Sequence, residues 1–236
     1  MEKTRSPAVI ASRTLATIAV AIGLIAPSHA GTILQTIGWA NGYEQVDVVG
    51  TAQPVADNGP AGGFDGIWNG TDILFFCDDL GHYFSLGSTY TDDYVATPLT
   101  GTFADNLSRL YTEAYSTGTP VDTTTESVAF QLAIWELEYE TVAGPYDLTT
   151  GTFTATADPA TIAEANALLS GLGNFAPLYQ ITQLSSTLPN AWGQAHSQDF
   201  IFATTTLRDT APEPATLGLL AAGLAGLGFM RRRRAN

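Results

Sequence analysis

The sequence predicts an α+β domain with β-strands at both ends and about three helices between them. Runs rich in Val, Ile and Thr occur early and late in the central region, and such runs are typical of strands. Apolar residues recur at helical spacing between them, and Gly- and Pro-rich turns separate the segments. Residues 31–206 are predicted to form this single domain, because about 180 residues suffice for one core.

The N-terminal part of the domain is predicted to hold three or four strands. β-branched residues cluster at about residues 32–37 and 44–54, which predicts two of them. Residues 56–70 contain five glycines and are predicted to be a loop. The apolar run Asp72–Cys77 predicts a strand buried on both faces, and residues 81–86 are expected to pair with it as a hairpin.

Three helices are predicted after these strands. The first spans about residues 105–115, where apolar residues repeat at helical spacing. The second begins after threonines 123–125, which suit N-cap positions. The third opens with an acidic cap and a proline, Asp158-Pro159, and ends near Gly171. Two closing strands are expected at residues 179–185 and 199–206.

Residues 1–30 predict a secretory signal peptide. Lys3, Arg5 and Arg13 make the start positive, an apolar run follows, and small residues precede the cleavage position. Signal peptidase is expected to cut between Ala30 and Gly31. The alternative, an uncleaved membrane anchor, is disfavoured because the apolar run is short for a membrane span.

Residues 207–236 predict a linker followed by a sorting tail. A Pro-Glu-Pro motif precedes an apolar helix predicted at residues 215–230, and four arginines follow. The uncharged stretch 217–230 would extend about 21 Å as a helix, whereas a bilayer core is about 30 Å thick, so the span is marginal. The motif residues are Pro212, Glu213 and Pro214, and the basic residues are Arg231, Arg232, Arg233 and Arg234.

This order of motif, apolar segment and basic cluster resembles the PEP-CTERM sorting tail of Gram-negative bacteria. The resemblance implies recognition and cleavage by an exosortase, a membrane transpeptidase-like enzyme, and a setting in exopolysaccharide or biofilm matrix. The chain is then expected to cross the inner membrane and to be anchored transiently through its C-terminal helix. Its destination would be the cell surface or the extracellular matrix.

The region between the two ends is strongly acidic. Residues 31–211 contain two basic side chains, Arg109 and Arg208, against 21 acidic ones, which is a net charge of −19. Such a charge disfavours binding to nucleic acid. The chain has one cysteine, Cys77, so an internal disulfide is excluded.

Two short motifs carry the candidate chemistry of the domain. An aromatic-Cys pair ends the buried strand, and an apolar-Gln-x-x-apolar-Trp pattern lies on the second helix. Together they resemble the thioester domains of bacterial surface adhesins. The resemblance implies that the cysteine sulfur and the glutamine carbonyl form an internal thioester, releasing ammonia. The residues concerned are Phe76, Cys77, Phe130, Gln131, Ile134 and Trp135.

The chemistry accounts for these residue types. A thiolate can attack a carboxamide when strand and helix hold the two groups together, and the product is an activated acyl group that an amine or hydroxyl can attack. Asp78 departs from the family, in which an apolar residue follows the cysteine; its carboxylate is expected to raise the pKa of the thiol and slow attack. Alternatively, Cys77 is a small core residue, and the Gln131 carboxamide forms hydrogen bonds with backbone groups at a strand edge.

Other polar residues suggest no further site. The acids near two turns lack the spacing of a calcium-binding loop and are expected to be solvated. The two histidines of the domain are far apart in sequence, so neither a metal site nor a cofactor is predicted. These residues are Asp78, Asp79, Asp92, Asp93, His82 and His196.

The sequence therefore predicts a non-enzymatic surface or matrix protein with an internal thioester for attachment to extracellular polysaccharide or another surface nucleophile. A structural matrix protein without a thioester is the main alternative. A secreted polysaccharide-active enzyme is a third, since 21 acids allow a catalytic carboxylate pair without indicating one.

Overall fold

The computed structural model describes residues 31–50, 58–116, 121–141 and 144–205. The predicted signal peptide, including Ala30, lies outside these residues. So do the Pro-Glu-Pro motif, the predicted apolar helix 215–230 and the four terminal arginines.

The described residues form ten strands, three α-helices and one short 3-10 turn. The strands are β1 Ile33–Trp39, β2 Glu44–Val49, β3 Asn58–Ala61, β4 Phe64–Trp68, β5 Thr71–Cys77, β6 Thr89–Thr91, β7 Tyr94–Pro98, β8 Thr154–Thr156, β9 Tyr179–Ser186 and β10 Phe200–Thr205. The helices are α1 Thr102–Ser116, α2 Thr124–Tyr139 and α3 Pro159–Gly171, and the 3-10 turn is Leu172–Asn174.

The strands form two antiparallel sheets. The larger has the order β6-β1-β4-β5-β10-β9-β7, and the smaller has the order β3-β2-β8. β5 lies at the centre of the larger sheet, where Phe75 pairs with Phe64 of β4 and Cys77 pairs with Phe200 of β10. A two-residue turn of Asn69 and Gly70, both with positive φ, joins β4 to β5, as tight hairpins require.

Helix α2 is the most buried element of the described structure. Every residue from Ser127 to Leu137 is buried, and the helix packs against α1, α3 and the smaller sheet. A capping box begins it: Thr123 Oγ1 accepts from the Glu126 backbone N–H, and the Glu126 carboxylate accepts from the Thr123 backbone N–H. This reciprocal pair satisfies two donors that a helix start leaves open.

The α+β prediction is confirmed, with strands at both ends and three helices between them. Asp158 caps α3 by accepting from the Ala160 N–H, as its sequence predicts. One short strand, β8, intervenes between α2 and α3. Strand β2 ends at Val49, and residues 51–54 of the predicted second strand lie outside the described residues.

The predicted loop at residues 56–70 is wrong, because β3 and β4 occupy most of it. Glycine in β4 serves a close approach instead of a turn. A Cβ on Gly66 would lie 2.6 Å from the Gln35 carbonyl oxygen and 2.6 Å from the Phe75 ring, so only glycine lets β1, β4 and β5 pack at this point.

The predicted hairpin at residues 81–86 is also wrong. β5 pairs with β4 and β10, and residues 81–86 form no strand. Asp79 diverts the chain here, because its Oδ1 accepts from the backbone N–H groups of Gly81 and His82. Such local side-chain bonds compete with strand pairing.

Because α2 is buried, shortening one of its core side chains should lower the stability of the domain strongly. Leu132 is fully buried, so Leu132→Ala should lower the free energy of unfolding by about 2–5 kcal/mol, through lost apolar contact and the cavity left behind. Urea unfolding followed by circular dichroism measures this. Val95→Ala, at a half-exposed position on the edge strand β7, is the control and should cost less than about 1 kcal/mol. Equal losses would contradict the central position of α2.

Glu136 predicts a pH effect on stability. It is fully buried, one carboxylate oxygen accepts from the Asp147 N–H, and the other has no partner among the described residues. Burial raises its pKa from 4.5 to about 7. The folded state therefore binds this proton more tightly than the unfolded state, so stability falls as pH rises between about pH 4.5 and about pH 7.

Glu136→Gln keeps the acceptor for Asp147 and removes the titration. The variant should gain about 2–3 kcal/mol relative to the parent protein as pH rises through this window, and the difference should be flat above it. Urea unfolding of both proteins across the pH range measures the gain. A difference that is constant with pH would show that Glu136 does not carry this effect.

Candidate functional site

The candidate site lies where α2 crosses the end of β5. Cys77 is the last residue of β5 and is 5% exposed, while Gln131, in the first half of α2, is fully buried. The two residues that the sequence resemblance pairs therefore lie together in the described structure.

Gln131 binds the backbone of Cys77 at two points. The Cys77 N–H donates to Gln131 Oε1 at 2.9 Å, and Gln131 Nε2 donates to the Cys77 carbonyl oxygen at 2.8 Å. Both ends of the carboxamide are thus held by one residue. Because the two bonds fix the carboxamide plane, its carbon is held against the residue that carries the thiol.

These two bonds extend the backbone hydrogen bonding of β5 past the point where its pairing with β4 ends. The Asp78 N–H donates to the Asp199 carbonyl on the β10 side, and adjacent residues of a strand direct their polar groups to opposite sides. The Cys77 backbone therefore faces the β4 side, where pairing stops at Phe64 opposite Phe75. The Gln131 carboxamide takes the position that another β4 peptide group would occupy.

The surroundings disfavour ionisation of the thiol. Burial raises the pKa of Cys77 well above its ordinary value, and the charges of Asp79 and Asp78 add to the rise. The effect of Asp78 has the direction expected from the sequence, although burial is the larger cause. Cys77 is therefore a neutral thiol in this structure.

Two of the four turn acids that the sequence predicts to be solvated are buried instead. Asp78 is 4% exposed, its pKa is raised to about 7 chiefly by burial, and it accepts a hydrogen bond from Gln183. Asp93 is 5% exposed and accepts from Ser186 Oγ and from the backbone of residues 187 and 188. The prediction of solvated turn acids is wrong for these two residues, because each one ties separate strands together.

The other residues of the two motifs are core residues. Phe76 and Phe130 are fully buried with ring centroids 4.8 Å apart, and Ile134 is fully buried. Trp135 is 3% exposed, and its indole N–H has no hydrogen-bond partner among the described residues. It lies one helical turn after Gln131, on the same face of α2.

A cavity of about 370 Å³ lies against Cys77. Side chains of the smaller sheet form one wall, and aromatic side chains of the larger sheet and of α2 form others. The lining includes Trp39, Val46, Val48, Pro60, Phe64, Cys77, His82, Tyr83, Phe84, Trp135 and Gln198. The cavity is mostly apolar, and both Cys77 and Trp135 line it.

The two histidines of the domain lie in contact, which sequence separation had concealed. The ring centroids of His82 and His196 are 3.7 Å apart, and Asp79 completes a group whose ligand atoms all lie within 4.8 Å of one another. No local sequence pattern connects the two histidines, because the tertiary packing of two loops brings them together.

Residues 210–234 match the PEP-CTERM protein-sorting motif. No curated protein and no solved structure matches the chain. Among the described residues, none of the helices has the length and apolar character needed to cross a bilayer. The sequence prediction of a sorting tail is confirmed by the match, and the protein carries a PEP-CTERM motif that indicates export and sorting by an exosortase.

Proposed function

We propose that this exported protein acts at the cell surface or in the extracellular matrix, and that Cys77 and Gln131 form an internal thioester through which it attaches covalently to a surface nucleophile. The pair of hydrogen bonds between the Gln131 carboxamide and the Cys77 backbone carries this proposal. A sorting motif at residues 210–234 supports the location.

The thioester would form by acyl transfer without any redox step. Cys77 Sγ attacks the Gln131 side-chain carbon, the new C–S bond replaces the C–N bond, the thiol proton passes to the leaving nitrogen, and ammonia departs. The Cys77 N–H already donates to Gln131 Oε1, so it would stabilise the oxyanion of the tetrahedral intermediate. A nucleophile whose own backbone N–H serves in this way is familiar from acyl-transfer enzymes.

The cavity fits the later attachment step. Gln131 is fully buried and Cys77 is 5% exposed, which limits the access of water to an acyl group between them. The adjoining space of about 370 Å³ leaves room for an amine or hydroxyl of a small group such as a sugar unit. The incoming nucleophile would attack the acyl carbon, the C–S bond would break, and the thiol would be regenerated as an amide or ester forms.

The indole of Trp135 offers a donor for this second step. Its buried N–H has no partner among the described residues, and Trp135 shares the cavity with Cys77. A buried unpaired donor is costly, so a ligand or acyl oxygen in the cavity would gain from bonding to it. We propose that Trp135 positions the acyl oxygen or the nucleophile.

A structural role without a thioester is the second candidate. The same two bonds satisfy a strand end and a buried carboxamide completely, and the raised pKa of Cys77 opposes thiolate attack. A polysaccharide-active enzyme is the third candidate. The Cys77 cavity would not serve it, because the described residues that line this cavity include no carboxylate for the acid pair that glycoside hydrolysis uses.

The thioester predicts a mass change in the purified, signal-cleaved protein. Intact mass spectrometry should give a value about 17 Da below the sequence mass, the loss of one ammonia on acyl transfer. Cys77→Ala and Gln131→Ala should each restore the full mass expected for the variant. Gln180→Ala, a control at a partly buried amide of β9 that does not contact Cys77 in any described hydrogen bond, should keep the deficit.

A full parent mass together with alkylation of Cys77 after unfolding would exclude the thioester. The structural alternative would then require that Cys77→Ser and Gln131→Ala lower stability while retention of the protein at the cell surface stays unchanged. Cell fractionation of the variants separates the two functions.

The role of Trp135 predicts a kinetic effect. Trp135→Phe keeps an aromatic ring and removes the N–H, so the thioester should still form while its reaction with methylamine slows on the order of tenfold or more. Trp192→Phe, at an exposed position outside the cavity lining, should react at the parent rate. Mass spectrometry over time measures the methylamine adduct, and equal rates for both variants would exclude Trp135 from this role.

A further inference from the structure

We propose that Asp79, His82 and His196 form a binding site for a divalent transition metal ion of the Zn²⁺ class. This site is independent of the thioester, since none of its ligands is Cys77 or Gln131. The sequence suggested no metal site, and the proposal rests on the contact between two histidines from separate loops.

The distances suit a single small ion. The three ligand atoms lie within 4.8 Å of one another, and His82 Nδ1 lies 3.1 Å from Asp79 Oδ1. Two ligands at tetrahedral angles around zinc are separated by about 3.4 Å, given metal–ligand bonds of about 2.1 Å. Side-chain rotation of a partly buried histidine is enough to close the remaining gap.

Two of the three ligands, Asp79 and His196, are already oriented by hydrogen bonds. Asp79 Oδ1 accepts from the Gly81 and His82 N–H groups, and Asp79 Oδ2 accepts from the Asp199 N–H at 2.9 Å. His196 Nδ1 lies 2.9 Å from the Ser197 carbonyl oxygen, a contact that requires Nδ1–H and leaves Nε2 free to bind metal. Ligating histidines commonly donate their other N–H to a carbonyl in this way.

The charge around the site favours a cation. Asp199 lies close enough for its carboxylate to interact with both Asp79 and His196. Arg109 is the single Lys or Arg between residues 31 and 205, and it donates to the Phe175 carbonyl. No arginine or lysine of the described residues therefore neutralises these acids, and a divalent ion would do so.

The ligand set defines the class of ion. Two imidazoles and one carboxylate favour zinc and its neighbours, whereas calcium and magnesium prefer oxygen ligands. Three protein ligands leave a fourth tetrahedral position for water or a ligand group. Because His82 also lines the cavity against Cys77, this position would be near material bound there.

Titration of the signal-cleaved protein with Zn²⁺ after chelator treatment tests the site. The protein must carry no histidine tag. Isothermal calorimetry should show one saturable site per chain, and Co²⁺ should give the visible spectrum of a four-coordinate site. His82→Ala and His196→Gln should each weaken binding on the order of tenfold or more.

Two control variants distinguish this site from other ligands. Cys77→Ala should bind Zn²⁺ like the parent, which excludes the thiol, and Asp72→Asn should do the same, since Asp72 is an exposed acid at the start of β5. Zn²⁺ binding that survives both histidine substitutions, or is lost in Cys77→Ala, would overturn the proposal.

A measurement on the parent protein covers the case in which a variant does not fold. Only two histidines follow Gly31 in the sequence, so the proton NMR spectrum contains two sets of imidazole ring signals. Zn²⁺ should shift both sets together with the same saturation curve. Unchanged ring signals at saturating Zn²⁺ would exclude the site.

Discussion

The bond pair between Gln131 and the Cys77 backbone joins helix α2 to the central strand of the larger sheet. Helix α2 is buried on all sides from Ser127 to Leu137. It therefore has no solvent-facing side to set its rotation about its own axis, and specific contacts must set that rotation. Gln131 fixes the helix to the end of β5 with two directed bonds, whereas apolar packing alone is non-directional. The candidate acyl transfer depends on this attachment, and Trp135, one helical turn after Gln131, lines the same cavity as Cys77.

Charge is the second constraint on the domain. Residues 31–205 contain one Lys or Arg, Arg109, so an acid buried in this region has almost no cation to pair with. It must be stabilised by hydrogen bonds or be protonated. Asp93 joins separate strands through backbone and hydroxyl donors, and Asp78 and Glu136 are buried with pKa values raised to about 7. The Asp79 and Asp199 carboxylates lie close to two histidines without a lysine or arginine of the described residues beside them, and the proposed metal ion would supply the missing positive charge.

Sequence predictions are correct where the signal lies within a few neighbouring residues, and they fail where it depends on tertiary contacts. The start of α3 could be predicted because Asp158 and Pro159 act within one turn, and the start of α2 because its capping box spans four residues. The glycines of residues 56–70 suggest a loop, whereas Gly66 is required in β4 by the close approach of Gln35 from β1 and of Phe75 from β5, which no local pattern reveals. The pairing of Cys77 with Gln131 was expected through a family resemblance, and geometry alone could show which atoms bond.

The sequence by itself determined the α+β class, the three helices, the acidic charge and the sorting motif, because periodicity, caps, composition and a linear tail are properties of neighbouring residues. Tertiary structure decided which strands flank β5, why two acids are buried, and that two histidines share one surface. These depend on contacts between residues far apart in the chain, and such contacts form only when the whole core packs. The Cys77–Gln131 site belongs to both: its residue types are visible in the sequence, while its hydrogen bonds exist only in the folded domain.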